Sequence, residues 1–103
     1  MSLDRLASRE QQVERFERYG PLLTEHQREV LRLYLRDDWS LAEIAARQRT
    51  SRAAVHDLIR RAAATLADYE AKLGLVTRRQ QVERELRQLR ARLDRLERAA
   101  LAP

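Results

Sequence analysis

At 103 residues the chain has room for one domain, and a domain of that size buries roughly two thirds of its unfolded surface, enough for a modest core without covalent staples. It contains no cysteine, which excludes disulfides and thiolate metal sites and fits a reducing compartment. Its 21 Lys+Arg against 16 Asp+Glu leave a net charge of +5, and Lys72 is the single lysine.

Guanidinium forks onto phosphate and guanine, so an arginine surplus suits a nucleic-acid partner. A bias spread evenly along a chain also follows from a GC-rich coding sequence, so only clustering points to a binding face. The opening stretch MSLDRLASREQQ carries acids and no apolar centre, and no run approaches the ~18 apolar residues of a membrane span. A soluble, cytoplasmic protein with no membrane partner is expected.

Two glycines and two prolines leave few turns. No stretch alternates β-branched with polar residues over a strand's length, so the pattern predicts an all-α fold of five helices. The first, about residues 10–19, sets Val13, Phe16 and Tyr19 on one side and stops at Gly20-Pro21. The second opens on Thr24, with Gln27 completing a capping box, buries Val30, Leu31, Tyr34 and Leu35, and runs out at Asp37-Asp38. Ser40 and Glu43 form another capping box for a short third helix, whose inward residues are Leu41, Ile44 and Ala45. Ser51 caps the fourth, which carries the stripe Val55, Ile59, Ala62, Leu66, Tyr69, Leu73 to a stop at Gly74. The fifth, about residues 77–100, repeats that spacing with Val82, Leu86, Leu89, Leu93, Leu96 and Ala100. Residues 1–76 thus read as a helical domain and 77–103 as an amphipathic, coiled-coil-like C-terminal helix.

Residues 40–62, SLAEIAARQRTSRAAVHDLIRRA, have the spacing of a helix-turn-helix. Such a unit needs a small residue in its first helix, a sharp turn, and apolar locks on its second. Ala45 serves as the first, and Val55 with Leu58 or Ile59 as the last. Arg49 stands where glycine is common, so a non-glycine residue must take positive φ at a cost of about 1 kcal/mol. Five arginines against Glu43 and Asp57 leave this segment at +3. The candidate nucleic-acid contacts are Arg47, Arg49, Ser51, Arg52, Ala53, His56, Arg60 and Arg61. Arg52 lies in the first turn of the fourth helix, where the dipole also favours phosphate. The outward positions offer no Asn or Gln to pair with adenine, so backbone-dominated binding with weak sequence preference is expected. The same charges would also suit a solvated bundle face.

In the fifth helix, Leu86, Leu93 and Ala100 take heptad position a, and Val82, Leu89 and Leu96 position d. Position g then holds Arg78, Glu85 and Arg92, and position e Glu83, Arg90 and Glu97, so that all three g–e pairs attract in a parallel dimer. A homodimer through Val82, Leu86, Leu89, Leu93 and Leu96 is expected. The alternative is a helix folded back over the fourth and first helices.

The stretches YGPLLTEHQREVLRLYL from Tyr19, residues 40–62, and DYEAKLGL from Asp68 resemble the YlxM family of small bacterial helix-turn-helix proteins. More distantly, residues 23–66 are similar to the promoter-reading C-terminal region of bacterial sigma factors. The resemblance implies an all-α, sigma region 4-like helix-turn-helix bundle with a long C-terminal helix, and a regulatory place in the signal recognition particle pathway. DNA, the particle's RNA and the particle's proteins all stand as its implied partners. Ser51, Arg52, Val55, Asp57 and Arg61 match the family pattern. Gln48, Arg49 and Thr50 depart from a more apolar family turn, and Asp57 is expected to pair with Arg52, Arg60 or Arg61.

Catalysis finds little support. His26 and His56 are isolated, and two glycines cannot build a phosphate-cradling loop. Glu10, Glu14 and Glu17 share a helical side but alternate with Arg15 and Arg18, as a solvated face does. No metal, cofactor or small-molecule substrate is expected. Two readings stand: a nucleic-acid-binding regulator, and a protein-interaction module of the signal recognition particle system that does not bind DNA.

Overall fold

The computed structural model describes residues 8–102, and these form five α-helices. α1 spans Arg9–Tyr19, α2 Glu25–Leu31, α3 Leu41–Gln48, α4 Arg52–Leu73 and α5 Leu75–Leu101. Among the described residues, no helix is long and apolar enough to cross a membrane.

Side chains write most of the helix starts. Ser8, Thr24 and Ser40 each accept a hydrogen bond from the backbone N–H three residues on, while Gln11, Gln27 and Glu43 reach back to the cap N–H. Each box satisfies two otherwise orphaned donors. The box at Ser8 opens α1 at Arg9, a residue earlier than the apolar spacing alone indicates. The Glu43 carboxyl is held below the usual carboxylate range, first by its bond from the Ser40 backbone N–H.

Two stops differ from the sequence expectation. Gly20 is right-handed (φ −49°), and the chain runs from α1 into a 3-10 turn over Gly20–Leu22. What Gly20 supplies there is space, because a Cβ at this position would meet the Phe16 ring at 3.3 Å. α2 widens into a π-helical turn over Arg32–Arg36, with the Asp37 N–H reaching back five residues to the Arg32 carbonyl. The widened turn rotates the residues that follow, so Leu33 is buried where Tyr34 was expected, and Tyr34 is half-buried. The Arg9 guanidinium closes this end. It donates to the Tyr34 and Leu35 carbonyls, pairs with Asp38 and lies 5.3 Å from the Tyr34 ring centre.

α4 is the hub. Val55, Ile59, Ala62 and Leu66 are buried along one side of it, and α1, α2 and α3 pack there. The Tyr19 and Tyr69 rings meet at 6.0 Å between centroids. Leu73, the last residue of the expected stripe, is exposed.

Gly74, at φ +61°, ends α4 and occupies the cap position of α5, so it offers α5 no side-chain cap. Residues of the preceding bundle take over. The Tyr19 hydroxyl accepts from the Leu75 N–H at 3.0 Å and donates to Glu70 Oε1 at 2.6 Å. The Glu70 carboxylate accepts from the Val76 and Thr77 N–H groups, each at 3.1 Å, and from the Thr77 hydroxyl at 2.6 Å. The first three N–H groups of α5 are thereby satisfied, which is why the helix begins at Leu75 and not Thr77. Burial pushes the Glu70 carboxyl up, but the bonds from Thr77, Tyr19 and Val76 outweigh it and hold its pKa below the usual range. Burial, with Glu70 beside it, pushes the Tyr19 phenol up. The first turns of α5 stay on the bundle, with Val76 packed on the core and Gln80 donating to Glu14 of α1; beyond them α5 leaves it, and the described residues extend over 70 × 27 × 25 Å. No residue of α5 is buried, so the fold-back arrangement is not the one the chain adopts.

Tyr19→Phe keeps the ring and strips the joint of its bridging hydroxyl, which should cost about 1–2 kcal/mol of unfolding free energy, read as a lower urea midpoint at unchanged slope. The depressed Glu70 pKa stabilises the fold above the unfolded carboxyl value, and that contribution disappears as pH falls through the folded value. Thermal melts from pH 6 down to about pH 3 should therefore show a steeper loss for the wild type than for Glu70→Gln.

Candidate nucleic-acid interface

α3 ends in a left-handed turn that aims α4. Arg49 sits at φ 55°, ψ 48°, and the Arg49 and Thr50 N–H groups return to the Ala46 and Ala45 carbonyls at 3.4 and 3.0 Å. This is a Schellman closure with arginine at the position that favours glycine. Ser51 then caps α4 through a bond from the Ala54 N–H at 3.0 Å. Ala45 is buried as the small residue of the crossing, and Val55 and Ile59 are the buried locks, whereas Leu58 is half-buried.

Every sequence-predicted contact residue is exposed on this unit: Arg47, Arg49, Ser51, Arg52, Ala53, His56, Arg60 and Arg61. Their surroundings divide them. Asp57 holds two guanidiniums, Arg60 at 2.9 Å on one carboxylate oxygen and Arg61 at 3.0 Å on the other. Arg52 is not part of that cluster. Arg49 and Arg52 have no carboxylate partner among the described residues. The Arg47 guanidinium lies 5.7 Å from the centre of the Trp39 ring. It also adds to the lowering of the Glu29 pKa, which comes first from the hydrogen bond that Arg32 donates.

Trp39 is the residue of this surface that the sequence reading passed over. Its signal was position: an aromatic directly before the Ser40 cap, in the place where a staple residue precedes a short helix. Arg47 on the ring and Arg60–Asp57–Arg61 on the next helix are held in place by these neighbours, while Arg49 and Arg52 between them are unengaged among the described residues. The positive end of the α4 dipole lies at the same point. The arrangement can bind a polyanion. Among the described residues, no group of three or more His, Cys, Asp or Glu could hold a metal ion.

Residues 6–100 match a family model described as "Putative helix-turn-helix protein, YlxM / p13 like", UPF0122. The chain belongs to the UPF0122 family. It is 51% identical over 85 residues to a UPF0122 protein of Symbiobacterium thermophilum, covering 82% of this chain and 79% of that one. A UPF0122 protein of Clostridium botulinum is 52% identical over 66 residues, 64% of this chain and 61% of its own length. One of Lacticaseibacillus casei is 57% identical over 60 residues, 58% of this chain and 53% of its own. Membership in UPF0122 agrees with the all-α helix-turn-helix geometry seen at residues 40–62.

The strained turn of this UPF0122 chain gives a direct test of the backbone assignment. Arg49→Gly should raise the unfolding free energy by about 0.5–1 kcal/mol in urea titration, since glycine takes positive φ without penalty. A loss of stability would mean that the arginine side chain, not the turn, governs this position.

Proposed function

We propose that the chain binds nucleic acid through the exposed face of α3 and α4, holding phosphates with guanidinium groups and reading bases weakly, as a regulatory component of the signal recognition particle pathway. The observation that carries the reading is the pair Arg49 and Arg52, two cations without a carboxylate partner among the described residues, at the exposed N-terminal end of α4 and flanked by the oriented Arg47, Arg60 and Arg61. The family's helix-turn-helix character supports it. The place in the particle's pathway is supported by the resemblance to the YlxM family.

Phosphate contact demands little of side-chain type beyond charge and reach, and arginine meets both. Base readout demands more. Ala53 can meet a thymine methyl and Arg52 or Arg60 can fork onto guanine, but Asp57 in the middle of the outward face repels the backbone. That sparse face favours a second reading, in which the arginines meet an acidic protein of the same system.

Binding to duplex DNA and to signal recognition particle RNA across a salt series separates the two. On duplex DNA the log–log slope should be about −0.9 per phosphate neutralised, and Arg52→Ala with Arg60→Ala should flatten it by roughly two charges. Asp57→Asn should raise affinity for either nucleic acid about threefold to tenfold by releasing Arg60 and Arg61. Absence of binding to both at low salt would eliminate the nucleic-acid reading and leave the protein-interaction module.

A further inference from the structure

We infer that α5 is one strand of a parallel, two-stranded coiled coil whose other strand is a second copy of this chain. Val82, Leu86, Leu89, Leu93 and Leu96 are between 45% and 66% exposed, aligned along one stripe of a helix that leaves the bundle after its first turns. An apolar stripe of that length is costly to leave in water and needs an apolar occupant.

The flanking charges identify the occupant. In a parallel, in-register pair each position g faces the following position e of the other strand. Arg78 then meets the partner's Glu83, Glu85 meets the partner's Arg90, and Arg92 meets the partner's Glu97. The symmetry of the pair doubles each of these attractions. All layers from Val82 to Ala100 are apolar against an identical apolar residue. Among the described residues Glu83 pairs with Arg79, at 3.0 Å on the surface, a bond cheap to exchange for Arg78 of the partner subunit.

The two antiparallel registers that cover the stripe from Val82 onward fail on one count or the other. The register that sets Leu89 against Leu93 opposes Arg92 to Arg92, Arg90 to Arg90 and Glu83 to Glu97. Slipping one heptad restores the charges, but it buries Arg79 against Leu96 and brings the far end of the partner helix onto Leu75. That end of α5 is already engaged: Val76 packs on the core, and Gln80 donates to Glu14 of α1. The parallel pair leaves this end to the bundle, beginning its apolar layers at Val82. It also carries two α3–α4 units on one stem, and divalent binding raises avidity without new contacts.

Sedimentation equilibrium over a concentration series, without nucleic acid, tests this separately from the proposed function. The wild type should approach twice 12.1 kDa. One variant carries Glu83→Arg, Arg90→Glu and Glu97→Arg; a second carries Arg78→Glu, Glu85→Arg and Arg92→Glu. Each alone should dissociate at least tenfold more readily than the wild type, and an equimolar mixture should regain the dimer. Far-ultraviolet circular dichroism checks that the bundle, which buries none of these side chains, stays folded. An antiparallel pair in the slipped register gives the reverse, with each variant dimeric alone and no gain on mixing. That result, a third or fourth strand, or a wild type at 12.1 kDa throughout, overturns the proposal.

Discussion

The hydroxyl of Tyr19 ties the molecule together. It lies at the end of α1, accepts from the first N–H of α5 and donates to Glu70 near the end of α4. The ring that carries it is 1% exposed, in the core. A buried phenol needs a partner for its polar end, and here its partners tie the start of the long helix to the bundle. Glu70 completes the joint by capping the next two N–H groups of α5. Glycine at position 74 is the condition for all of this, since a left-handed residue lets the chain turn from one helix straight into the next.

The joint separates two surfaces. At the far end of α4 the α3–α4 crossing presents guanidiniums to solvent, and beyond Gly74 the α5 helix presents an apolar stripe. Each surface has its own internal support. On the cationic side, Asp57 and Trp39 orient three arginines and Arg49 is presented by a strained turn. Exposed ion pairs contribute little to stability, so the Asp57 cluster is readily opened by a phosphate that competes for its guanidiniums. The acidic residue therefore moderates the surface without closing it.

Much of the fold was legible because it is written in local rules. Thr24, Ser40 and Ser51 announced their helices through hydroxyl caps, Gly74 announced a stop, and the apolar spacing of α4 named its four buried residues, although it ran on to the half-buried Tyr69 and the exposed Leu73. Positive φ at Arg49 followed from its place in the helix-turn-helix, where glycine is common. The π-helical turn at Arg32–Arg36 was not legible, because the same residues satisfy α-helical spacing and only the packed Leu33 and Leu35, with Arg9 on the carbonyls, select the wider turn. The Tyr19–Glu70 joint was hidden for a related reason: its partners lie 51 residues apart and no local pattern links them. At the site, the sequence named the exposed arginines. Which of them Asp57 would hold depended on rotamers that spacing alone leaves open.

The claim that these surfaces divide the work, polyanion on α3–α4 and apolar contact on α5, is tested most directly by nuclear magnetic resonance. Arginine side-chain and backbone N–H signals would be followed as a short duplex or a signal recognition particle RNA hairpin is added. The account predicts that shifts concentrate in residues 47–61, led by Arg49 and Arg52, while residues 82–100 stay where they are. Shifts confined to α5 or to the Glu14–Arg18 side of α1, with residues 47–61 unmoved, would contradict it.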